Sequence, residues 1–419
     1  MKNKKLLFVT TRLFWPTDSG RKLSLYYYCK GIHEKYSCDI YIYSFLEAGQ
    51  TEADIEKKPE FIKEVRLAKP IGKVEKIQNL VTKSLLTHKW PIQCSLYYSR
   101  QNSEQIKRYC DELQPDYIFT DMIRTSMYYD AFRHSRALKV LDMDDLLSAR
   151  YERQLHARYK SNISGQYSGR LPGIINKLIG NQMVRNAVLT MERDLTAKAE
   201  IRYSKLYDKV IFVSEVETAY LNKKLPGKAI TIPVGINAVP EIELIGEPKK
   251  NLLSYVGNLK VAANVDTLHW IISDILPKIH HDVKFMVIGK CPDDVREKYK
   301  DNDHVIFTGR VENLVEYIRK SQIFLSPILY GTGIKTKILE AMSMGVPVVT
   351  NDVGAEGIEA KDGQELWVRN DSAAIAGQVD YLLEHYDAAL SVAEAGKKLV
   401  EERYEWEQIY KKFEKIMNR

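Results

Sequence analysis

Short apolar runs alternate with longer stretches of helical spacing through the first part of the chain. The runs fall at Lys5–Thr10, Cys38–Ser44, Glu64–Ala68, Asp116–Thr120, Lys139–Asp142, Lys209–Ser214 and Ala229–Pro233. Brief runs of this kind, bounded by turn residues, read as strands buried in a parallel sheet. Helical patterning fills residues 22–32 and most of 73–113, and a long helix ends near Tyr207. The polar segment V-P-E-I-E-L-I-G-E-P-K-K, 239–250, holds two prolines and a glycine and reads as a hinge. The rhythm then restarts. Strands are expected at Leu252–Val256, Lys284–Ile288, Val305–Phe307, Ile323–Leu325 and Val346–Thr350. Helices are expected at Val265–Ile275, Leu314–Lys320, Ile334–Met344, Asp371–Glu384 and Tyr404–Asn418. The fold class is therefore α/β, with two doubly wound domains at 1–238 and 251–400. Residues 401–419 are expected to form a helix that returns to the first domain. The site should lie in a cleft between the domains, outside the carboxyl ends of the strands.

One stretch concentrates the chemistry. Ser321–Thr350 reads strand, a loop with Gly331 and Gly333, a helix with Lys335 and Lys337 in its first turn, then Gly345 as its stop. A helix N-terminus favours an anion and disfavours cations. Two lysines at that end make sense if the site takes a doubly charged group such as a diphosphate. A second strand–loop–helix anion cradle is expected at T-R-L-F-W-P-T-D-S-G-R-K, capped by Ser19 or Gly20, with Arg21 and Lys22 at the helix start. It lacks the G-x-G-x-x-G dinucleotide pattern.

Composition narrows the class. The 419 residues, 45% hydrophobic and 28% charged, suit a globular protein of two domains. No apolar run is long enough to span a membrane, and Leu6–Val9 is too short a core for a signal peptide. Five scattered cysteines suggest neither a disulfide framework nor zinc. The expected location is cytoplasmic. The net charge of +7 is uneven: residues 1–200 hold 33 Lys/Arg against 23 Asp/Glu, and the remainder 29 against 32. The basic half suits nucleic acid, an anionic membrane, a phosphate-bearing acceptor, or plain solvation. It carries no recognised nucleic-acid module. Residues 146–208 break the strand–helix rhythm, and between Arg150 and Arg185 seven cations face one acid, Glu152. This is either an amphipathic segment touching an anionic membrane or a lipid-linked substrate through 150–185, or a helical insertion with a solvated basic face. L-D-M-D-D-L places Asp142, Asp144 and Asp145 at a strand end, where a structural ion pair, a helix cap and a metal all remain open.

The chain resembles the retaining glycosyltransferases of family 4, with the GT-B architecture of two Rossmann-like domains facing each other across a cleft. The resemblance rests on T-R-L-F-W-P-T-D-S-G, F-V-S-E-V-E-T, I-T-I-P-V-G-I-N, Y-V-G-N-L, F-T-G-R-V-E-N-L and G-T-G-I-K-T-K-I-L-E-A-M-S-M-G-V-P-V-V-T. The A-N-V-D-T-L-H-W and G-I-K-T-K-I-L-E-A-M versions are similar to a bacterial subgroup making surface polysaccharides. The resemblance implies an acceptor-binding first domain and a second domain that binds a UDP- or GDP-sugar, with no metal. Glu340 would accept the ribose hydroxyls, since a carboxylate offers several acceptor sites to a diol. Gly333, Ile334, Lys335 and Thr336 would present N–H groups to the diphosphate, with Lys337 as the favoured cation. Arg310 and Val311 would flank the base, Gly257 and Asn258 would lie near phosphates or sugar, with Lys260 adding a cation there, and Gly20 would admit the donor from the first domain.

Two departures stand out. Thr332 replaces a glutamate common in the family eight residues before Glu340, so the donor sugar must be recognised differently, Thr332 and backbone amides being candidates. Asp144 stands where many relatives have histidine, and could hold a sugar hydroxyl or steady a cationic sugar. The expected activity is transfer of a glycosyl group to an acceptor hydroxyl with retention, Asp144 and Lys337 being the catalytic candidates. The acceptor would be a glycan or lipid-linked glycan, with peripheral contact to the inner face of the cytoplasmic membrane. The alternatives are a nucleotide-sugar epimerase or hydrolase on the same scaffold, and a catalytically silent glycan-binding partner.

Overall fold

The structure, a computed structural model, describes residues 3–17, 20–156, 182–239 and 248–418. Ser19, residues 157–181 of the basic insertion and residues 240–247 of the hinge lie outside the described residues. Two compact units emerge. One is built from Met1–Glu152, Asn186–Gly235 and Trp406–Arg419, the other around Ile236–Glu405.

The first unit carries strands β1 (Lys4–Thr10), β2 (Cys38–Ser44), β3 (Ile62–Leu67), β4 (Tyr117–Asp121), β5 (Leu138–Asp144), β6 (Lys209–Phe212) and β7 (Ala229–Thr231). They form one parallel sheet in the order β3-β2-β1-β4-β5-β6-β7. The order reverses between β1 and β4, which opens a crevice at their carboxyl ends. Helix Gly20–Tyr36 covers one face with Leu25, Tyr28, Cys29 and Ile32, a helical stripe packed on Leu6, Phe8 and Phe119. The C-terminal segment joins the same core. It is two helices, Trp406–Lys412 and Glu414–Met417, rather than one, with Phe413 between them. Trp406 stacks on Tyr27 at 4.4 Å, and Phe413 meets Tyr28 edge-on at 5.1 Å.

Helix Gln182–Leu206 brings two buried carboxylates to the starts of other helices. Glu192 accepts the N–H groups of Ile92 and Gln93 at 2.5 and 3.2 Å, and Glu200 accepts that of Ser148 at 3.1 Å. Each satisfies orphan donors of a helix N-terminus.

The second unit repeats the plan. Strands β8 (Lys249–Val256), β9 (Lys284–Ile288), β10 (Val305–Gly309), β11 (Ser321–Leu325), β12 (Val348–Thr350) and β13 (Trp367–Val368) form a parallel sheet in the order β10-β9-β8-β11-β12-β13. The reversal falls between β8 and β11. Helix Glu215–Lys224 of the first unit and helix Tyr386–Arg403 of the second are not expected from the sequence pattern. The latter buries Ala389, Ala393 and Gly396, small residues that read poorly as an apolar stripe.

Candidate functional site

The second unit gathers most of the candidate residues at the carboxyl ends of β8, β10 and β11. The loop after β11 is held by its neighbour: the Asn351 amide donates to Ile328 O at 2.9 Å and accepts the Ile328 N–H at 2.9 Å. Tyr330, buried, donates to Asp266 at 2.6 Å. The helix begins at Thr336, two residues later than the apolar pattern suggests. Gly333 takes φ of 65° and Lys335 is extended at φ −91°, ψ 91°, so the chain turns helical only after them. The following strand is shorter than expected for a related reason. Gly345 N–H bonds to Met342 O and Val346 N–H to Ala341 O, so Val346 belongs to the helix stop.

The two lysines separate in role. Lys335 is the N-cap residue, and its ammonium turns back onto the carbonyls of Thr332 and Gly333. Lys337 points into the unit. Its Nζ lies 3.2 Å from the Tyr255 hydroxyl, 3.3 Å from Asn264 Oδ1 and 4.4 Å from the centre of the Tyr255 ring. Burial, with the Lys335 charge beside it, pushes its pKa down to about 7 against the pull of Glu340. Burial raises the pKa of Glu340, and Lys337 partly offsets this. The Glu340 carboxylate makes no hydrogen bond within the described residues, so both oxygens can accept from a diol.

Gly257 and Asn258 follow β8. A side chain at Gly289 would strike Gly257 O at 2.2 Å, so β8 and β9 approach too closely there for anything larger. Asn258 O accepts the Asn264 amide at 3.0 Å, and Asn258 Oδ1 accepts the Lys260 N–H at 3.1 Å. A polar chain thus runs from Asn258 through Asn264 to Tyr255 and Lys337. Arg310 is exposed just past β10, and Val311 packs partly buried beside the core of Ile338. Thr332 is half-buried and Gly333 and Ile334 are buried. Tyr255 and Asn264 were missed as site residues because a buried strand aromatic reads as core and an early-helix asparagine reads as a cap.

In the first unit the expected anion cradle is corrected by carboxylates. Arg21 does not face an open anion site. Its guanidinium lies 2.7 Å from Asp121, 3.0 Å from Asp142 and 3.3 Å from Asp144. Lys22 pairs with Glu47 at 2.5 Å. Burial acts to lower the Arg21 pKa, but Asp142, Asp144 and Asp121 outweigh it and raise it well above its ordinary value. Asp121 and Asp142 are direct neighbours across β4 and β5, a like-charge contact that Arg21 relieves. Asp144 has φ of 67°, a left-handed conformation costing about 1 kcal/mol or more. Burial pushes its pKa up to about 7, with Arg21 opposing and Asp145 and Asp142 adding. Its side chain is 20% exposed, so one edge stays accessible. Asp145 instead pairs with Arg150. The carboxylates that raised a metal reading therefore each carry a guanidinium partner. Among the described residues no group of His, Cys, Asp or Glu is placed to hold a metal ion. Gly20 is the first residue of its helix, is exposed and has open space around it.

Residues 250–385 match the family model described as Glycosyl transferases group 1. A phosphatidyl-myo-inositol mannosyltransferase of Mycobacterium leprae is 26% identical over 212 residues, 47% of this chain and 55% of that relative. The chain spans between 54% and 66% of the length of the curated relatives it matches. Among solved structures, a sucrose-phosphate synthase of Thermosynechococcus elongatus aligns over 99% of this chain and 98% of its own, at 14% identity and a TM-score of 0.69. Anabaena HepE in complex with UDP aligns over 99% of both chains, at 12% identity and a TM-score of 0.65. At such identities the likeness shows the fold, two Rossmann-like units of the GT-B kind.

Proposed function

We propose that the protein is a glycosyltransferase that moves a sugar from a nucleotide-sugar donor to an acceptor hydroxyl, with retention at the anomeric carbon. The observation that carries this reading is Lys337 and Glu340, half-buried one turn apart on the helix that follows the β11 loop, inside the stretch that matches the transferase family. The UDP named in the HepE complex supports a nucleotide-sugar donor, a UDP- or GDP-sugar. Lys337 and the N–H groups of Gly333 through Thr336 would stabilise the diphosphate as it departs. Glu340 would hold the ribose diol, with Arg310 and Val311 beside the base and Gly257 and Asn258 beside phosphate or sugar. Thr332 would take the part of the absent glutamate in binding the sugar.

Asp144 is proposed as the second catalytic group. An aspartate whose pKa burial raises toward neutral can accept a sugar hydroxyl or, when ionised, steady positive charge at the anomeric carbon. The first unit would bind the acceptor, a glycan or lipid-linked glycan of bacterial surface-polysaccharide synthesis, with cytoplasmic peripheral location. The mannosyltransferase named among the relatives supports a lipid-linked acceptor.

The test is donor turnover with and without acceptor. Lys337→Ala and Glu340→Ala should each lose on the order of a hundredfold in kcat/KM while remaining folded. Unchanged turnover in either variant contradicts the assignment. Turnover that ignores the acceptor contradicts transfer.

A further inference from the structure

The first unit also exposes an apolar helical face. Lys73–Asn79 is an α-helix that continues as a wider π-helical turn, Leu80–Leu86. Its inner side is fastened: Leu80 and Ser84 are buried, Ser84 Oγ is 2.7 Å from Ser95 Oγ, and the Asn79 amide donates to Tyr98 O at 3.0 Å. Its outer side carries Val74, Ile77, Val81 and Leu85, spaced three, four and four residues apart, with Leu86 beside them. These five are 80%, 46%, 38%, 45% and 71% exposed. Large aliphatics gathered on one helix face mark an interaction surface.

The charges around this face say what covers it. Lys73, Lys76, Lys83 and Lys89 border it, and Glu75 is the one acid from Lys73 to Trp90. That glutamate accepts the N–H of Arg100 at 3.1 Å. Trp90 packs edge-on to Tyr98 at 4.9 Å, both half-exposed, with the Lys83 ammonium 5.8 Å from the Trp90 ring centre. Aliphatics ringed by lysine, tryptophan and tyrosine match the chemistry of a bilayer's headgroup boundary. Two copies of the chain meeting on this face would oppose lysine to lysine, and lysine is depleted in protein interfaces. At ~1.5 Å per residue the segment is far too short to span a bilayer.

We propose that this face seats the first unit on an anionic lipid surface, with the helix lying in the interface plane. The segment, 73–90, is separate in sequence from the basic stretch 150–185. Binding of this kind needs no nucleotide, so its failure leaves the reading of the donor site untouched.

The test is co-sedimentation of the full chain with phosphatidylcholine vesicles, with and without phosphatidylglycerol. The wild type should bind the anionic vesicles and release as salt is raised. Val74→Asp with Leu86→Asp should weaken binding about tenfold or more. Replacing Lys73, Lys76, Lys83 and Lys89 by Gln should weaken it about fivefold per lysine. These positions are on the surface, so unchanged circular dichroism and melting should confirm that the variants fold. Undiminished vesicle binding by the aspartate variant overturns the proposal. So does loss of binding only when the cations of 150–185 are neutralised, or a solution dimer that the aspartate pair abolishes while the wild type ignores lipid.

Discussion

Desolvation pulls the pKa of Lys337 down to about 7 and raises that of Glu340. A bound diphosphate favours the charged lysine and raises its pKa above the value of about 7 in the free protein. Binding should therefore take up a proton near neutral pH, and affinity should fall as pH rises past 7. Calorimetric titration of UDP or GDP in two buffers of different ionisation heat measures that uptake. Flat affinity from about pH 6 to 9, with no proton taken up, contradicts the assignment. Spacing alone made Lys337 and Glu340 legible, because three residues on a helix share a face. Arg21 was misread because the carboxylate that completes its cluster, Asp121, stands one residue past the strand end read from the apolar pattern. Burial of a charge by partners distant in sequence leaves no local signal.

At the scale of elements, every strand of the two sheets that lies beside a candidate residue is visible as an apolar run, most strongly where it is buried on both faces, as β1, β4 and β11 are. Helix starts were less so. The helix after β11 was placed early because Ile334 continues its apolar stripe, while Gly333 and Lys335 hold the backbone out of the helical region. Close packing between helices was not legible at all. Gly31 shows this: a methyl group there would fall 2.1 Å from the Tyr410 ring. Gly31→Ala should destabilise the protein by about 1–3 kcal/mol, read as a lower thermal midpoint. Adding Tyr410→Ala should cost less than the two changes summed, because the second removes the clash. Strict additivity would show that the two helices do not meet as described.

For the whole molecule, the six strands of the second sheet repeat the order of the first six of the first sheet, which adds β7 at its edge, and each sheet reverses next to the strand that carries the first loop of its site. The topology therefore assembles residues far apart in sequence, Tyr255, Asn264, Lys337 and Glu340 in one unit and Arg21, Asp121, Asp142 and Asp144 in the other. Alternating strands and helices announced this architecture, and the motifs at the strand ends pointed to the donor. The sugar is less legible, since Thr332 and Asp144 occupy positions where the resemblance predicts other side chains. On the proposed reading, the β11 loop and its helix bind a nucleoside diphosphate, with Glu340 on the ribose. The most direct measurement is calorimetric binding of UDP and GDP to the wild type and to Glu340→Ala, alongside the matching 2′,3′-dideoxynucleoside diphosphate. The wild type should bind at least one of the two and lose about tenfold or more with the dideoxy ligand, and the variant should no longer distinguish the two ligands. A wild type that binds neither diphosphate, or a Glu340→Ala protein that still prefers the intact ribose, would contradict it.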